Sequence, residues 1–296
     1  MSAGAWTTRP VVVGTDGSGG ATRAVAWAAE AARLRELPLH VVCVLHRRPA
    51  GPPLVAESLL TRAGAVARIN GGGRPVETRI AVGSPTHVLA RLAADAELLV
   101  VGHHGGGRAL PTLGGTAARL TGLSPGALAV VRAAPGRPVP DRDRPVLVAV
   151  DGRPGSAALV RHAAELAARR DADLHVAHVW RESPSDVVSR LGRRERAPHR
   201  EEAERALEEI AASVEADHPR LRVRWTVERG YPAWSVLELS DAAQLVVVGR
   251  HRGRSVGALA TVLLQASSCP VLLPPRSLTT ASGRPVTASA LDAVPL

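Results

Sequence analysis

The chain has 296 residues, 45% of them apolar, and a formal net charge of +10, with arginine supplying all 37 basic residues because lysine is absent. That length has room for about two domains. The missing lysine excludes a Walker A phosphate loop, the strand lysine of protein kinases and pyridoxal phosphate chemistry.

The pattern opens with a continuous apolar strand at 10–15 that ends in Thr15-Asp16-Gly17. An Ala-rich segment, Ala21–Leu34, follows with helical periodicity, and a second strand spans 39–45. A third strand at 76–81 leads to a helix over Ser84–Ala94, which opens with a cap-like Ser and Pro at its first helical position. Strands at 97–101 and 127–132 complete a first unit. Continuous apolar runs of this kind indicate strands of a parallel sheet covered on both faces.

The unit then repeats. Pro10-Val11-Val12-Val13-Gly14-Thr15-Asp16-Gly17 returns as Pro145-Val146-Leu147-Val148-Ala149-Val150-Asp151-Gly152, and Leu39-His40-Val41-Val42 as Leu174-His175-Val176-Ala177, both offset by 135 residues. Leu98-Leu99-Val100-Val101-Gly102 returns as Leu245-Val246-Val247-Val248-Gly249, offset by 147, which places an insertion near 181–200. In this second copy, Glu201–Glu215 is strongly helical. The expected architecture is α/β: two tandem open five-stranded parallel sheets with helices on both faces, Rossmann-like and joined as a pseudo-dimer. The boundaries read as a first domain at 1–134, a Pro- and Gly-rich linker at 135–144, a second domain at 145–275 and a flexible tail at 276–296.

Charge and cysteine usage narrow the partners. Residues 1–140 hold 15 Arg against 7 acidic residues, and 141–296 hold 22 against 20, yet the arginines are scattered and lack an aromatic stacking platform. A solvated basic face is expected, without specific nucleic-acid binding. Cys43 and Cys269 lie in apolar stretches of different halves and read as buried small hydrophobes. No leader-like apolar core opens the chain and no apolar run approaches the roughly 20 residues of a membrane span, so a cytoplasmic location is expected.

The chemistry concentrates where the fourth strand ends. Gly102, Gly105, Gly115 and Thr116 form Gly-x2-Gly-x9-Gly-Thr, a glycine-rich loop leading from a buried strand toward a helix N-terminus. Glycines let the backbone approach phosphate oxygens, and a helix N-terminus offers free N–H groups at the positive end of its dipole. In an open α/β sheet, ligands sit beyond the C-terminal ends of the strands where the strand order switches. The Asp16 turn and the Gly102 loop both leave strand C-terminal ends and can share that crevice.

Taken together, these residues resemble the universal stress protein family in its tandem, ATP-binding form, whose fold is adenine nucleotide alpha hydrolase-like. The resemblance covers about 10–133 and 145–274. It implies that Gly14, Thr15, Asp16 and the backbone of Val44 hold the adenosine part, while Gly102, Gly105, Gly115 and Thr116 wrap the phosphates, with Mg²⁺ held by Thr116 and those phosphates. Arg108, inside the spacer, is either a phosphate contact or a solvated loop residue. The family's dimers further imply that the two copies pair through the closing strands at 127–132 and 270–273, with a homodimer and an unidentified protein partner as further possibilities.

The second copy departs from the motif. Arg252 stands at the second glycine, the loop from Gly249 is four residues shorter, and neither Ala258 nor Leu259 supplies a hydroxyl. Asp151 and Val179 remain, which leaves the adenosine half of a pocket without its phosphate half; the expectation is one nucleotide per chain, held by the first copy, with the second empty or far weaker. His103 and His104 read as loop side chains, His40 and His175 as structural positions, and Asp16 has a plainer reading as the residue capping the following helix. Ser18 and His46 form no hydrolase triad, and no metal-ligand spacing is present. A regulatory ATP-binding module without catalytic residues is the leading expectation. A slow ATPase or phosphoryl-transfer enzyme and a nucleotide-independent interaction protein are the rivals.

Overall fold

The computed structural model describes residues 8–47, 51–103, 113–132, 143–152, 155–180, 198–250 and 256–280. Copy one runs β1 (Val11–Thr15), α1 (Gly19–Arg35), β2 (Leu39–Leu45), α2 (Leu54–Asn70), β3 (Val76–Val82), α3 (Pro85–Asp95), β4 (Leu98–Gly102), α4 (Gly115–Leu123) and β5 (Leu128–Val131). Copy two runs β6 (Val146–Val150), α5 (Ser156–Arg169), β7 (Leu174–Trp180), α6 (Pro198–Asp217), β8 (Val223–Arg229), α7 (Pro232–Ser240), β9 (Leu245–Val248), α8 (Ala258–Ala266) and β10 (Val271–Leu273), followed by a short α9 (Arg276–Thr280).

All ten strands belong to one sheet, in the order β3-β2-β1-β4-β5-β10-β9-β6-β7-β8. Each five-stranded half is parallel, and the halves meet where β5 and β10 pair antiparallel, Val130 opposite Val271 and Leu128 opposite Leu273. The closing strands therefore join the copies, and the two expected sheets are a single continuous one. The inner strands explain the unbroken apolar runs. Val11, Val12, Val13, Leu99, Val100, Leu147, Val148, Val246 and Val247 are all fully buried, because helices cover both faces.

One face packs α1, α2, α5 and α6 against the sheet, and the other packs α3, α4, α7 and α8. Matching helices share a face while the strands of the two halves run in opposite directions. The pseudo-twofold axis is thus perpendicular to the sheet, and the C-terminal strand ends of the two copies open at opposite rims. Across the junction, the Arg170 guanidinium that follows α5 lies 5.2 Å from the Trp27 ring centre on α1, a cation–π contact.

Helix α1 shows how composition becomes packing. Ala21, Ala24, Ala28, Ala31 and Ala32 are buried, and their small side chains let the helix lie close on the sheet. Ser18 caps it by accepting from the Ala21 N–H at 3.2 Å, and Glu36 ends it in a left-handed conformation with φ of 57°. Helix α3 starts after Ser84 with Pro85 in its first turn, as expected, although the Ser84 side chain makes no capping bond. Cys43 and Cys269 are buried free thiols. Burial raises the pKa of both, with the nearby Asp16 charge adding to the effect at Cys43. The insertion inferred near 181–200 lies largely outside the described residues, as do 281–296 of the proposed tail.

Candidate functional site

In copy one, β1, β2 and β3 succeed each other in one direction from the centre of their half, while β4 and β5 lie on the other side of β1. Helices α1 and α2 sit on one face and α3 and α4 on the other. The strand order therefore switches between β1 and β4, and a crevice opens at their C-terminal ends. Four segments meet there: the Thr15–Ser18 turn, the end of β2, the end of β4 and the start of α4.

The turn after β1 is built by its own side chains. Thr15 is buried, and its Oγ1 accepts from the Gly17 N–H at 3.2 Å. Asp16 is exposed, and its Oδ1 accepts from the Ser18 N–H at 3.0 Å. The helix cap is Ser18, so the plainer reading of Asp16 as the capping residue is corrected. Gly17 has φ of +78°, and a Cβ there would fall 2.3 Å from the Leu59 side chain of α2. Only glycine suits that position. A Cβ on Gly14 would press on Leu89 of α3 at 2.8 Å, so Gly14 is small for packing and not for exposure.

Val44 enters through its backbone. The Pro38 carbonyl accepts from Val11 on the β1 side, while the Leu45 carbonyl accepts from Gly83 at 2.8 Å on the β3 side. Peptide groups of a parallel strand alternate sides, so those of Val44 face β1. The last residue pair between β1 and β2 is Thr15 with Cys43. In a continued ladder the Gly17 N–H would meet the Val44 carbonyl, but it donates to Thr15 Oγ1 instead. The Val44 carbonyl is therefore aimed at the crevice, as a hydrogen-bond acceptor for a flat ligand edge.

At the end of β4, Gly102 meets the first turn of α1. A Cβ there would lie 2.9 Å from the Gly20 carbonyl carbon and 3.1 Å from the Ala21 nitrogen. This close approach links the loop after β4 to the turn carrying Asp16. His103 donates its backbone N–H to Val131, and its carbonyl accepts from Gly114 at 2.8 Å, which closes the loop at its base. The His103 side chain lies in the loop just past β4, as expected, and is only 2% exposed. The carbonyl exchange with β5 and Gly114 draws the residue inward.

Helix α4 then starts with Gly114 as its N-cap and no side-chain capping bond. Gly115 and Thr116 are its first two residues, and no described residue beyond its chain neighbours lies within 4 Å of where a Gly115 Cβ would be. A helix start without a side-chain cap leaves N–H groups to bind an anion. Gly105, Arg108 and His104 lie outside the described residues.

Copy two reproduces the frame and changes its fittings. Gly152 again has positive φ, 72°, but α5 is preceded by Gly155 and no side chain caps it. The Ser156 hydroxyl lies 3.5 Å from Asp151 Oδ1. His178 replaces Cys43, approaches the Val150 carbonyl at 3.2 Å and stacks on Trp180 with ring centres 6.2 Å apart. Burial lowers the His178 pKa, outweighing that hydrogen bond and the Asp151 charge. Among the described residues, a Cβ on Gly249 would meet only the Leu159 side chain, 3.5 Å away. After it, Arg250 is 7% exposed and turns across the junction to donate to Thr121 and Gly126 of copy one, at 2.7 and 3.0 Å. No local pattern signals this role. An arginine beside a broken glycine motif reads as a loop residue until the partner carbonyls are in place.

The other histidines singled out from the sequence are structural. His40 Nε2 lies 3.6 Å from Glu77 on the neighbouring strand, and His175 Nε2 lies 2.8 Å from Thr226 Oγ1. Among the described residues, no group of three or more His, Cys, Asp or Glu gathers at metal-binding distance. Nor does any described helix have the length and apolarity to cross a membrane.

The sequence profile of the universal stress protein family matches residues 7–132 and again 144–275. A universal stress protein of Mycolicibacterium smegmatis is 32% identical over 288 residues, covering 89% of this chain and 96% of that protein. One from Mycobacterium tuberculosis is 30% identical over 291 residues, again covering 89% and 96%. The crystal structure of a universal stress protein from Archaeoglobus fulgidus shares the fold, with a TM-score of 0.68 at 15% identity over 92% of this chain and all of that one. The chain belongs to the universal stress protein family, as a tandem member with two copies of its α/β unit.

Proposed function

We propose that this chain is a cytoplasmic regulatory module that binds one adenine nucleotide, ATP, in copy one. In this reading 1–134 and 145–275 act as domains joined by the 135–144 linker. The observation that carries the reading is the strand-order switch between β1 and β4. There an inward-facing Val44 carbonyl, an exposed carboxylate at Asp16 and the uncapped start of α4 stand together.

Each group suits one part of the ligand. The Val44 carbonyl accepts from an adenine amino group, Asp16 accepts from ribose hydroxyls, and the N–H groups at Gly115 and Thr116 receive phosphate oxygens. The glycines at 102, 105 and 115 let the backbone come close. The Thr116 hydroxyl would share a Mg²⁺ ion with those phosphates, and that ion would offset their charge. The role is one of binding and switching, so ATP kept with the protein and Mg²⁺ for hours is expected back unhydrolysed.

The test is calorimetric titration of the full chain with ATP, ADP, AMP and adenosine, with mass spectrometry of small molecules released from the purified protein. One ATP per chain supports the reading. Absence of measurable ATP affinity in the wild type would sink it.

A further inference from the structure

Helix α4 offers the proposed phosphate cradle at its first residues, so whatever holds its other end bears on the site. The last carbonyls of a helix lack intrahelical partners, and α4 has no basic residue in its own last turn. Copy two supplies the missing donors. Arg250 Nη1 donates to the Thr121 carbonyl at 2.7 Å and Nη2 to the Gly126 carbonyl at 3.0 Å, while Nε ties back to Pro274 at 2.7 Å. Arg276 Nη2 donates to the Gly122 carbonyl at 2.7 Å and Nε to the Ser124 carbonyl at 3.2 Å. Its backbone N–H reaches Pro125 at 3.0 Å.

Arg250 is buried with its charge. Among the described residues no carboxylate pairs with it, and desolvation, helped by the nearby Arg276 charge, brings its pKa down to about 10. Carbonyl dipoles at the negative end of α4 are what compensate the guanidinium. The junction is reciprocal but unequal: Arg132 of copy one donates to the Gln265 carbonyl at the end of α8, while the copy-one counterpart of Arg250 is His103.

We propose that Arg250, assisted by Arg276, is a positioning residue for the nucleotide site of copy one, so that copy two sets the phosphate affinity of its neighbour. The inference rests on the reading of copy one as a nucleotide site. Two effects act together. The guanidinium groups fix the C-terminal turn of α4, which holds the helix start in place for the phosphates. They also neutralise the negative end of the helix dipole, so the positive end is felt by an anion with less opposition. Because Arg250 is buried, salt screens this contribution weakly. Residues of copy two that line no part of the crevice thereby become part of its energetics.

The discriminating feature is that α4 touches phosphates and not the nucleoside. In the full chain, R250M is expected to weaken ATP about fivefold to tenfold and leave adenosine affinity unchanged. R250K, which keeps the charge, should recover part of the loss, and R276M should give a smaller loss of the same kind. Hydrogen exchange at the α4 amides should quicken in R250M while β1 and β2 stay protected.

Equal loss of ATP and adenosine affinity in R250M would show a general structural role and overturn the inference. So would unchanged ATP affinity. If R250M does not fold, R250K and R276M carry the same comparison. A wild type that binds neither ligand overturns the proposed function itself, an outcome distinct from a wild type that binds and a variant that binds equally well.

Discussion

The ends of β4 and β9 occupy equivalent places in the two copies and have opposite uses. In copy one, Gly102 lies against the backbone of the first turn of α1, and α4 starts at Gly115 without a side-chain cap. In copy two, Gly249 makes no such close approach to any described residue, and the next residue, Arg250, leaves its own rim to hold a helix of the other copy. Duplication placed two potential sites at opposite edges of one sheet. A single side chain at the second rim serves the junction between copies. The comparison teaches that a degenerate copy need not be idle, since its former loop position now supports the intact copy.

The comparison can be broken most sharply at the two strand-end aspartates. Asp16→Ala removes an acceptor for ribose hydroxyls, and a hydrogen bond to a charged group contributes about 1.5–3 kcal/mol. An affinity loss of roughly tenfold or more is expected by calorimetry, against no change for Asp151→Ala. Equal losses would mean that both copies bind.

The glycines at the ends of β4 and β9 test the packing side of the contrast. Gly102→Ala drives a Cβ into backbone at about 3 Å, and overpacking of this kind costs about 1–3 kcal/mol in denaturant unfolding. Gly249→Ala meets only a side chain at ordinary contact distance and should cost less than about 0.5 kcal/mol.

Acidification sharpens the contrast in another way. Burial lowers the pKa of His40 in copy one and of His162, His175 and His178 in copy two. Each then has a folded pKa below its unfolded value near 6.5, so the unfolded chain takes up protons first as pH falls. Their stability contribution is intact above the unfolded pKa and lost as pH drops through it toward the folded values. Thermal melts should show Tm lower at pH 5.5 than at pH 7.5. Replacing His178 with Asn should flatten that dependence, and an unaltered pH profile would contradict the assignment.

The smallest effect separates binding from folding. Gly115→Ala puts a methyl where no described residue beyond its chain neighbours lies within 4 Å, and Ala is favoured over Gly within a helix by up to about 1 kcal/mol. Stability should hold or rise slightly while ATP affinity falls a few-fold, by the same calorimetry. A parallel fall in both would mean that Gly115 is a packing residue.

Much of this was legible in the residues. The apolar runs marked the inner strands to within a residue or two, because both faces of those strands are covered and polar alternation is suppressed, whereas the edge strands β3 and β8 are rich in polar residues and half exposed. The repeats of 135 and 147 residues marked the duplication, and the Gly-x2-Gly-x9-Gly-Thr spacing marked the crevice. The family resemblance named the candidate residues Gly14, Thr15, Asp16, Gly102, Gly115 and Thr116, while local chemistry could say only what each does near itself in the chain. It missed what a neighbour in space decides. Gly14 is small because Leu89 packs on it, Ser18, not Asp16, caps α1, and His103 lies buried in its loop. Arg276, read as part of a tail, is tied to the end of α4.

By itself the sequence determined the α/β class and the two copies, since periodicity and repeats are local properties, while the pairing strands and the candidate site were expectations carried by the family resemblance. Only the tertiary structure decided that the two halves share one ten-stranded sheet with their rims opposed. It also directed the Val44 carbonyl into the crevice and set Arg250 and Arg276 on the carbonyls of α4. The physical reason is sequence separation. Arg250 and Thr121 are 129 residues apart, and no local pattern encodes which distant carbonyls a buried guanidinium will find.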